Sequence, residues 1–586
     1  MRAAALPGSL FAHPARVFRI VTDRAARGGH NQQDEFVHIR LTRPMSIAHW
    51  IDRNILSLGR EMRLSYLPPL MVYVAYGISG LTGIVGTFFV KDYLGLSASF
   101  LAALGFWAGI PWALKMPIGH TVDLLWRWKS WLVGLGAGLL TVSLGIMALL
   151  IGDREAMTAI LPAEVWYVIS VLLAPIGYVV QDAVADAMTV EAVPRVDEQG
   201  RVFDDQTRKL MHTTMQTLGR VAIVGGGITV ALVNVYVFSG TEGMPQADLI
   251  ELYKQIYLMA MVIPVVSVAG LGLAWWLKRR QKQRLLQEGF SSEQAQQMVD
   301  VRDAEGEPTK PNWWILGGSL AFVLFTLTVS LGGFPYREEI VFTGSMTIVL
   351  FLMSRLMREL EPDKRLTLVG TAAVVFSLRA IPQSGPGATW WMIDQLKFDQ
   401  QFLSVLSLIG GVVALAGMFV FRRFMAERSI SYVVGFLTIV GTILALPITG
   451  LYYGLHEWTA AVTGGVVDAK FIALVDTALE SPLAQISMIP MLAWIANSAP
   501  ANLKATFFAV MASFTNLALS LGQLGTKYLN ELFVVTREVR DQATGAIQTP
   551  ADYSQLGELF ITQLLLGLLL PFSAILFAKL TKFKSV

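Results

Sequence analysis

Fourteen runs of about twenty predominantly apolar residues follow one another between positions 67 and 578. Each is long enough to cross the hydrocarbon of a bilayer as a helix. Inside lipid the backbone must satisfy its own hydrogen bonds, so only helices or closed barrels are admissible there. Twenty-residue runs suit helices; a barrel strand needs only about ten. The chain is therefore expected to be an all-α, multi-pass membrane protein. Composition agrees: 54% of residues are hydrophobic and 15% charged, against about 25% charged in soluble domains.

The runs cover 67–90, 100–117, 130–151, 165–191, 210–236 and 253–277, then 313–332 and 340–357, then 366–382, 402–421, 432–453, 467–496, 506–533 and 556–578. An even number places both termini on one side. With the N-terminus inside, 34 of the 46 Lys and Arg fall in cytoplasmic segments or at cytoplasmic helix ends, seven in outer loops or outer helix ends and five deeper within runs. That is the positive-inside asymmetry, and the reverse orientation violates it. The polar, Arg-rich segment 1–66 has no continuous apolar stretch and does not read as a cleaved secretory signal. It is expected to be a cytoplasmic tail.

A weak internal repeat at an offset of 302 residues organises the rest. Leu94-Gly95-Leu96-Ser97-Ala98-Ser99-Phe100-Leu101 aligns with Leu396-Lys397-Phe398-Asp399-Gln400-Gln401-Phe402-Leu403. In both copies an outer loop enters a helix through an N-capping side chain, Ser97 or Asp399. The repeat matches the first run to the ninth and the second to the tenth. The expected domains are a tail (1–66), a six-helix bundle (67–277), a cytoplasmic linker (278–312), an inserted helix pair (313–357), a second six-helix bundle (366–578) and a short C-terminal tail (579–586). Two parallel six-helix repeats are the build of the major facilitator superfamily. Gly119-His120-Thr121-Val122-Asp123, followed by Arg127 and Lys129, looks like a degraded form of that superfamily's cytoplasmic gate loop.

Charges inside apolar runs carry the functional signal, because a carboxylate in hydrocarbon costs several kcal/mol unless it faces a cavity, a partner or a solute. Asp182 and Asp186 lie four apart in the fourth run, on one helix face. Asp182 is about 15 Å from the inner end by helical rise. Arg220, at similar depth in the fifth run, is the expected partner of Asp182. Arg379, Asp476 and Glu480 occupy the ninth and twelfth runs; the last two again share one face. Lys115, Asp123, Arg127 and Glu191 are assigned to gating, with Lys115 a candidate partner of Asp186. Lys527 sits near the outer surface and is expected to be solvated. Gly77, Gly80, Gly83 and Gly86, together with Gly225-Gly226-Gly227, read as close-packing surfaces.

Several chemistries are excluded or left without support. The chain has no Cys, so thiolate ligands and disulfides are absent. Its seven His show no metal-ligand spacing, and no Gly-rich loop is followed by Lys-Ser/Thr. No cofactor, metal, nucleic-acid partner or catalytic group is expected, and the chain is read as a non-enzyme.

The chain also resembles the folate–biopterin transporter family of the major facilitator superfamily. The matching pieces are Lys91 to Ser97; Pro111-Trp112 with Lys115 and Gly119; Asp182, Asp186-Ala187 and Glu191; Pro382 to Gly385; Leu396 to Phe402; Arg422-Arg423-Phe424; Pro490; and Ala505-Thr506-Phe507 to Asn516. Two departures are the inserted helix pair and Lys504, where the family tends to an acidic residue. The resemblance implies a secondary transporter of a small organic solute, pterin- or folate-like, working by alternating access. Proton-gradient coupling (symport) and a bacterial inner membrane location are expected, with a monomer as the default. Asp182, Asp186, Arg220, Arg379, Asp476 and Glu480 are the expected substrate or proton groups. Trp107, Trp112, Trp390 and Trp391 are candidates for stacking on a flat ring. Other solutes (a cell-wall fragment, peptide or amphiphilic acid) and a non-transporting scaffold or sensor are the alternatives.

Overall fold

The computed structural model describes residue 52 and residues 56–583, apart from 114, 126–127, 194–202, 242, 300–312, 359, 422–427, 499–503 and 541–546. Every element named below belongs to the unit Asn54–Val586.

Helix dominates, as backbone self-satisfaction requires. In chain order the helices are α1 (Leu67–Gly77), α2 (Gly83–Tyr93), α3 (Ala98–Ala113), α4 (Lys115–Leu124), α5 (Lys129–Gly152), α6 (Ala163–Ala192), α7 (Asp205–Val237), α8 (Gln246–Ala260), α9 (Val262–Gln287), α10 (Trp313–Leu331), α11 (Arg337–Met357), α12 (Pro362–Arg379), α13 (Pro386–Asp394), α14 (Gln400–Val420), α15 (Ile430–Tyr452), α16 (Ala469–Ser498), α17 (Lys504–Leu532) and α18 (Leu556–Leu580). A tight 3-10 segment, Ile78–Thr82, joins α1 to α2. A small antiparallel hairpin, β1 (Val539–Arg540) with β2 (Ile547–Thr549), lies between α17 and α18.

A helix lies over each of the fourteen apolar runs. Among the described residues, eight stretches are long and apolar enough to cross a membrane, including Leu64–Tyr93, Ala163–Thr189, Thr214–Val237 and Leu556–Leu580. The remaining helices include α16 and α17, whose runs carry Asp476, Glu480, Lys527 and Glu531.

Local chemistry fixes the helix starts. Ser97 Oγ accepts from the Phe100 N–H at 3.1 Å and Asp399 Oδ1 from the Phe402 N–H at 2.7 Å. The same capping thus appears in both copies of the 302-residue repeat. Asp204 and Ser429 cap α7 and α15 in the same way.

Packing between helices uses small residues, as it must where lipid supplies no hydrophobic drive. A Cβ at Gly77 on α1 would strike the Ile223 carbonyl oxygen of α7, and one at Gly226 would meet the Gly77 backbone at 2.9 Å. Gly136 of α5 and Gly177 of α6 interlock similarly. One apolar core gathers Val85, Phe88, Leu150, Tyr253 and Ile263; another gathers Leu368, Val374, Val434, Leu517 and Ile575. Between them α3 packs along α17 and α7 along α14, so helices far apart in sequence line a shared central seam. The α10–α11 pair packs on α17 and α3 beside that seam.

Candidate functional site

The centre of the seam is built on the α3–α4 stretch, which carries Pro111 and Pro117. Each proline has no N–H to give the carbonyl four residues earlier. The Trp112 carbonyl accepts from Asn516 Nδ2 of α17 at 2.9 Å. Lys115, the first residue of α4, sends its side chain across to α6. Its Nζ lies 2.6 Å from Asp182 Oδ2 and 2.8 Å from Asp186 Oδ2. The two acids share a face because they are one turn apart, so one ammonium serves both.

Neighbouring helices complete the contacts. The Tyr73 hydroxyl of α1 donates to Asp186 Oδ1 at 2.6 Å. The Thr189 hydroxyl donates to the Asp186 carbonyl at 2.6 Å, and Gln216 Nε2 of α7 donates to that hydroxyl at 3.2 Å. Arg220, also on α7, lies within Coulombic reach of both acids without forming the contact pair. Arg379 at the end of α12 lies within Coulombic reach of Arg220, and its Nε donates to the Thr515 carbonyl at 3.2 Å. Lys115 and Arg220 balance the two carboxylates, and Arg379 adds a positive charge from the other side of the seam. The Asp182 side chain is 11% exposed and that of Asp186 is 41% exposed, so Asp186 meets the open space.

An aromatic wall stands beside this cluster. Tyr76 packs against Trp112 (centroids 5.6 Å, tilted) and edge-on to Tyr178 (5.5 Å), and Ser79 hydrogen-bonds Tyr178. Such a wall suits a flat ring.

The structure corrects several expectations. Asp182 pairs with Lys115, not Arg220, because a lysine stem spans the gap from the α4 start while Arg220 stays at Coulombic distance. Lys115 therefore sits with the central acids and not among gate residues only. The pairing of Lys115 with Asp186 is present. Asp476 and Glu480 do not join the cluster in any described contact. Asp476 is buried on the α16 face that also buries Ile472 and Ala473, and its Oδ1 has no hydrogen-bond partner among the described residues; Glu480 is exposed. Lys527 is not solvated: its side chain is 15% exposed and reaches Glu338 and Glu339. Trp390 and Trp391 are buried in an apolar core away from the acids, and Trp107 Nε1 donates to Glu338 at 3.0 Å. Only Trp112 among the four stands at the site. Arg127 lies outside the described residues, as do the side chains of Asp123 and Glu191. Sequence reasoning misses Tyr73, Tyr76 and Tyr178; tyrosines on the α1 and α6 faces turned to Asp182 are the available signal. Among the described residues no three metal-ligating side chains converge.

A second polar cluster closes the end predicted to lie outside. Lys91 Nζ of α2 lies 2.6 Å from Asp394 Oδ1 at the end of α13. The Tyr553 hydroxyl donates to the other oxygen of Asp394. Burial, then the adjoining carboxylate, holds the Tyr553 phenol well above its ordinary range, which keeps it a donor. Arg537 Nη1 donates to the Val90 carbonyl at 2.7 Å and its guanidinium lies over Trp390. Gln400 Nε2 donates to the Tyr253 hydroxyl at 2.8 Å. The Lys91–Asp394, Arg537–Val90 and Gln400–Tyr253 contacts each join an early segment of the chain to a late one.

Solved structures share this architecture. A POT family transporter in complex with a thioalcohol conjugated peptide superposes with TM-score 0.51 over 89% of this chain and 96% of its own, at 9% identity. A mutant of peptide transporter POT in complex with sulfate gives 0.51 over 89% and 95%, at 15% identity. These likenesses establish the fold. The all-helical architecture is the fold of these solved transporters.

Residues 334–584 match the family model described as the BT1 family. A folate-biopterin transporter of Synechocystis sp. is 22% identical over 492 residues, 81% of this chain and 78% of the relative. Over these spans the chain is similar to the BT1 family and to a folate-biopterin transporter.

Proposed function

We propose that this chain is a secondary active transporter that carries a small anionic organic solute with a flat ring, pterin- or folate-like, by alternating access, and is not an enzyme. Its expected working units are the two six-helix bundles, 67–277 and 366–578, with the termini cytoplasmic and a bacterial inner membrane as the site. The observation that carries the reading is the central charge arrangement. Lys115 is held between Asp182 and Asp186, and Arg220 and Arg379 approach from opposite sides of the seam, next to the Tyr76–Trp112–Tyr178 wall.

The chemistry follows from the groups. An aminopyrimidinone edge presents paired donors that match a carboxylate, and a carboxylate tail matches a guanidinium. Asp182 and the aromatic wall suit the ring; Arg220 and Arg379 suit the tail. Asp186, the more open acid, is the proposed proton acceptor. A proton there removes one of the two charges that hold Lys115, leaving the ammonium to Asp182 and lowering the cost of rearranging the site. Asp476, buried with an unpartnered oxygen among the described residues, and Glu480 are proposed as further proton groups of the second bundle. Asp123, Arg127 and Glu191 are proposed as cytoplasmic gate groups, and Lys115 as the link between gate and site.

The test is direct binding to the purified protein in detergent, followed by uptake into liposomes with imposed pH gradients. Pterin carboxylates and folates should bind and accumulate with an inward proton gradient. Dipeptides, amino acids and nucleosides are the comparison set; binding confined to any of these would replace the solute class. Accumulation insensitive to the proton gradient would remove the coupling.

A further inference from the structure

We propose that the α10–α11 pair is a strap that holds the predicted outer ends of α3 and α17 together, with the Glu338 carboxylate as its pin. The proposal rests on the alternating-access reading above and extends it to the two helices that reading leaves without a role.

Glu338 lies in the first turn of α11 and is 6% exposed. One of its oxygens accepts from Trp107 Nε1 of α3 at 3.0 Å. The other lies 3.4 Å from Lys527 Nζ of α17. One carboxylate therefore binds two helices that pack across the central seam. Glu339 repeats the hold on α17, contacting Lys527 at 3.4 Å and accepting from the Tyr528 hydroxyl. Beneath these polar contacts Phe322, Val329 and Val341 of the pair, Phe106 and Ile110 of α3, and Leu524 of α17 form one buried apolar cluster. The pair thus docks on both helices at once, by a buried carboxylate and by an apolar foot.

Rocking of one bundle against the other separates the outer ends of α3 and α17. A carboxylate this buried keeps both cross-seam partners only while those ends stay together; on opening it must lose Trp107 or Lys527 and is left with fewer bonds, Arg337 Nε of its own helix at 3.1 Å remaining, which is costly in a low-dielectric site. The strap therefore adds to the Lys91–Asp394 latch at the same end and biases the protein toward the outer-closed state. A helix inserted merely as a linker needs neither the buried acid nor simultaneous contact with both sides.

The experiment uses the natural absence of cysteine. Ile160→Cys and Val462→Cys, at positions 70% and 69% exposed on segments predicted to lie outside, carry spin labels, and pulsed electron–electron resonance reads the outer-end distance. Variants on that background are Glu338→Gln, Trp107→Phe and, as an opening control at the separate latch, Asp394→Asn. Trp107→Phe keeps most of the ring volume and loses only the donor, so it reads the hydrogen bond in a folded protein if Glu338→Gln is poorly behaved. The expected result is a longer-distance population in Glu338→Gln and Trp107→Phe, with the open-to-closed ratio raised about tenfold. Unchanged distributions in both, with Asp394→Asn opening, would overturn the strap and leave alternating access intact. A single unchanging distance in all three and with bound folate would instead remove the alternating-access reading, and the strap with it.

Discussion

At the scale of single residues the decisive fact is that one lysine serves two acids. Lys115 lies 2.6 and 2.8 Å from Asp182 and Asp186, so neither acid has a contacting cation to itself. Removing one member of a buried pair leaves an uncompensated charge and typically costs about 3–5 kcal/mol, whereas removing both can be close to neutral. Lys115→Met alone therefore forces two adjacent carboxylates together and should be the most destabilising change in the cluster. Adding Asp182→Asn to Lys115→Met should recover stability, with a coupling of roughly 0.5–3 kcal/mol in a double-mutant cycle of thermal unfolding in detergent. Additive effects would mean that the ion pair does not form. Asp186→Asn should be the mildest single change, because the introduced amide oxygen can still accept from Tyr73 and Lys115 keeps Asp182.

At the scale of helices the glycines decide which faces meet. Gly77 and Gly83 look alike in sequence, both members of one three-residue series. In the structure a Cβ at Gly77 strikes the Ile223 carbonyl, whereas one at Gly83 meets nothing within 4 Å. Gly77→Ala should thus lower stability by about 1–3 kcal/mol through overpacking against rigid backbone, and Gly83→Ala should be neutral or slightly stabilising through helix propensity. Thermal denaturation of the two variants side by side separates them; equal losses would contradict the packing. The same contrast shows what the chain reveals unaided. Twenty-residue apolar runs, the capped starts at Ser97 and Asp399, and the costly acids on α6 are one-dimensional signals, and each leads to its element. The identity of Asp182's partner is not one-dimensional. Depth along neighbouring helices points to Arg220, but contact depends on helix rotation and side-chain reach, which only packing settles. Lys527 eludes sequence reasoning for the same reason: nearness to an outer helix end reads as solvent until α11 is seen to cover it.

At the scale of the whole molecule the two arginines are the feature that links chemistry to motion. Arg220 belongs to α7 and Arg379 to α12, on either side of the seam, and like charges brought within Coulombic reach repel. An anion between them removes that repulsion and draws the two sides together, so binding and closure favour each other. A ligand that binds only the folded state stabilises it by RT ln(1 + [L]/Kd), about 2.7 kcal/mol at a hundredfold excess over Kd. A pterin carboxylate or folate should therefore raise the unfolding temperature by a few degrees in the parent protein. Arg220→Gln and Arg379→Gln should each lose the part of the shift that depends on the carboxylate. A pterin lacking the carboxylate should give a smaller shift, unchanged by either arginine variant and lost in Asp182→Asn, because it uses only the acid and the aromatic wall. Thermal melts of four proteins against two ligands resolve these terms. Equal shifts for both ligands in every variant would place recognition elsewhere, while a carboxylate-dependent shift lost in only one arginine variant would show that the anion is held on one side of the seam and cannot couple the two.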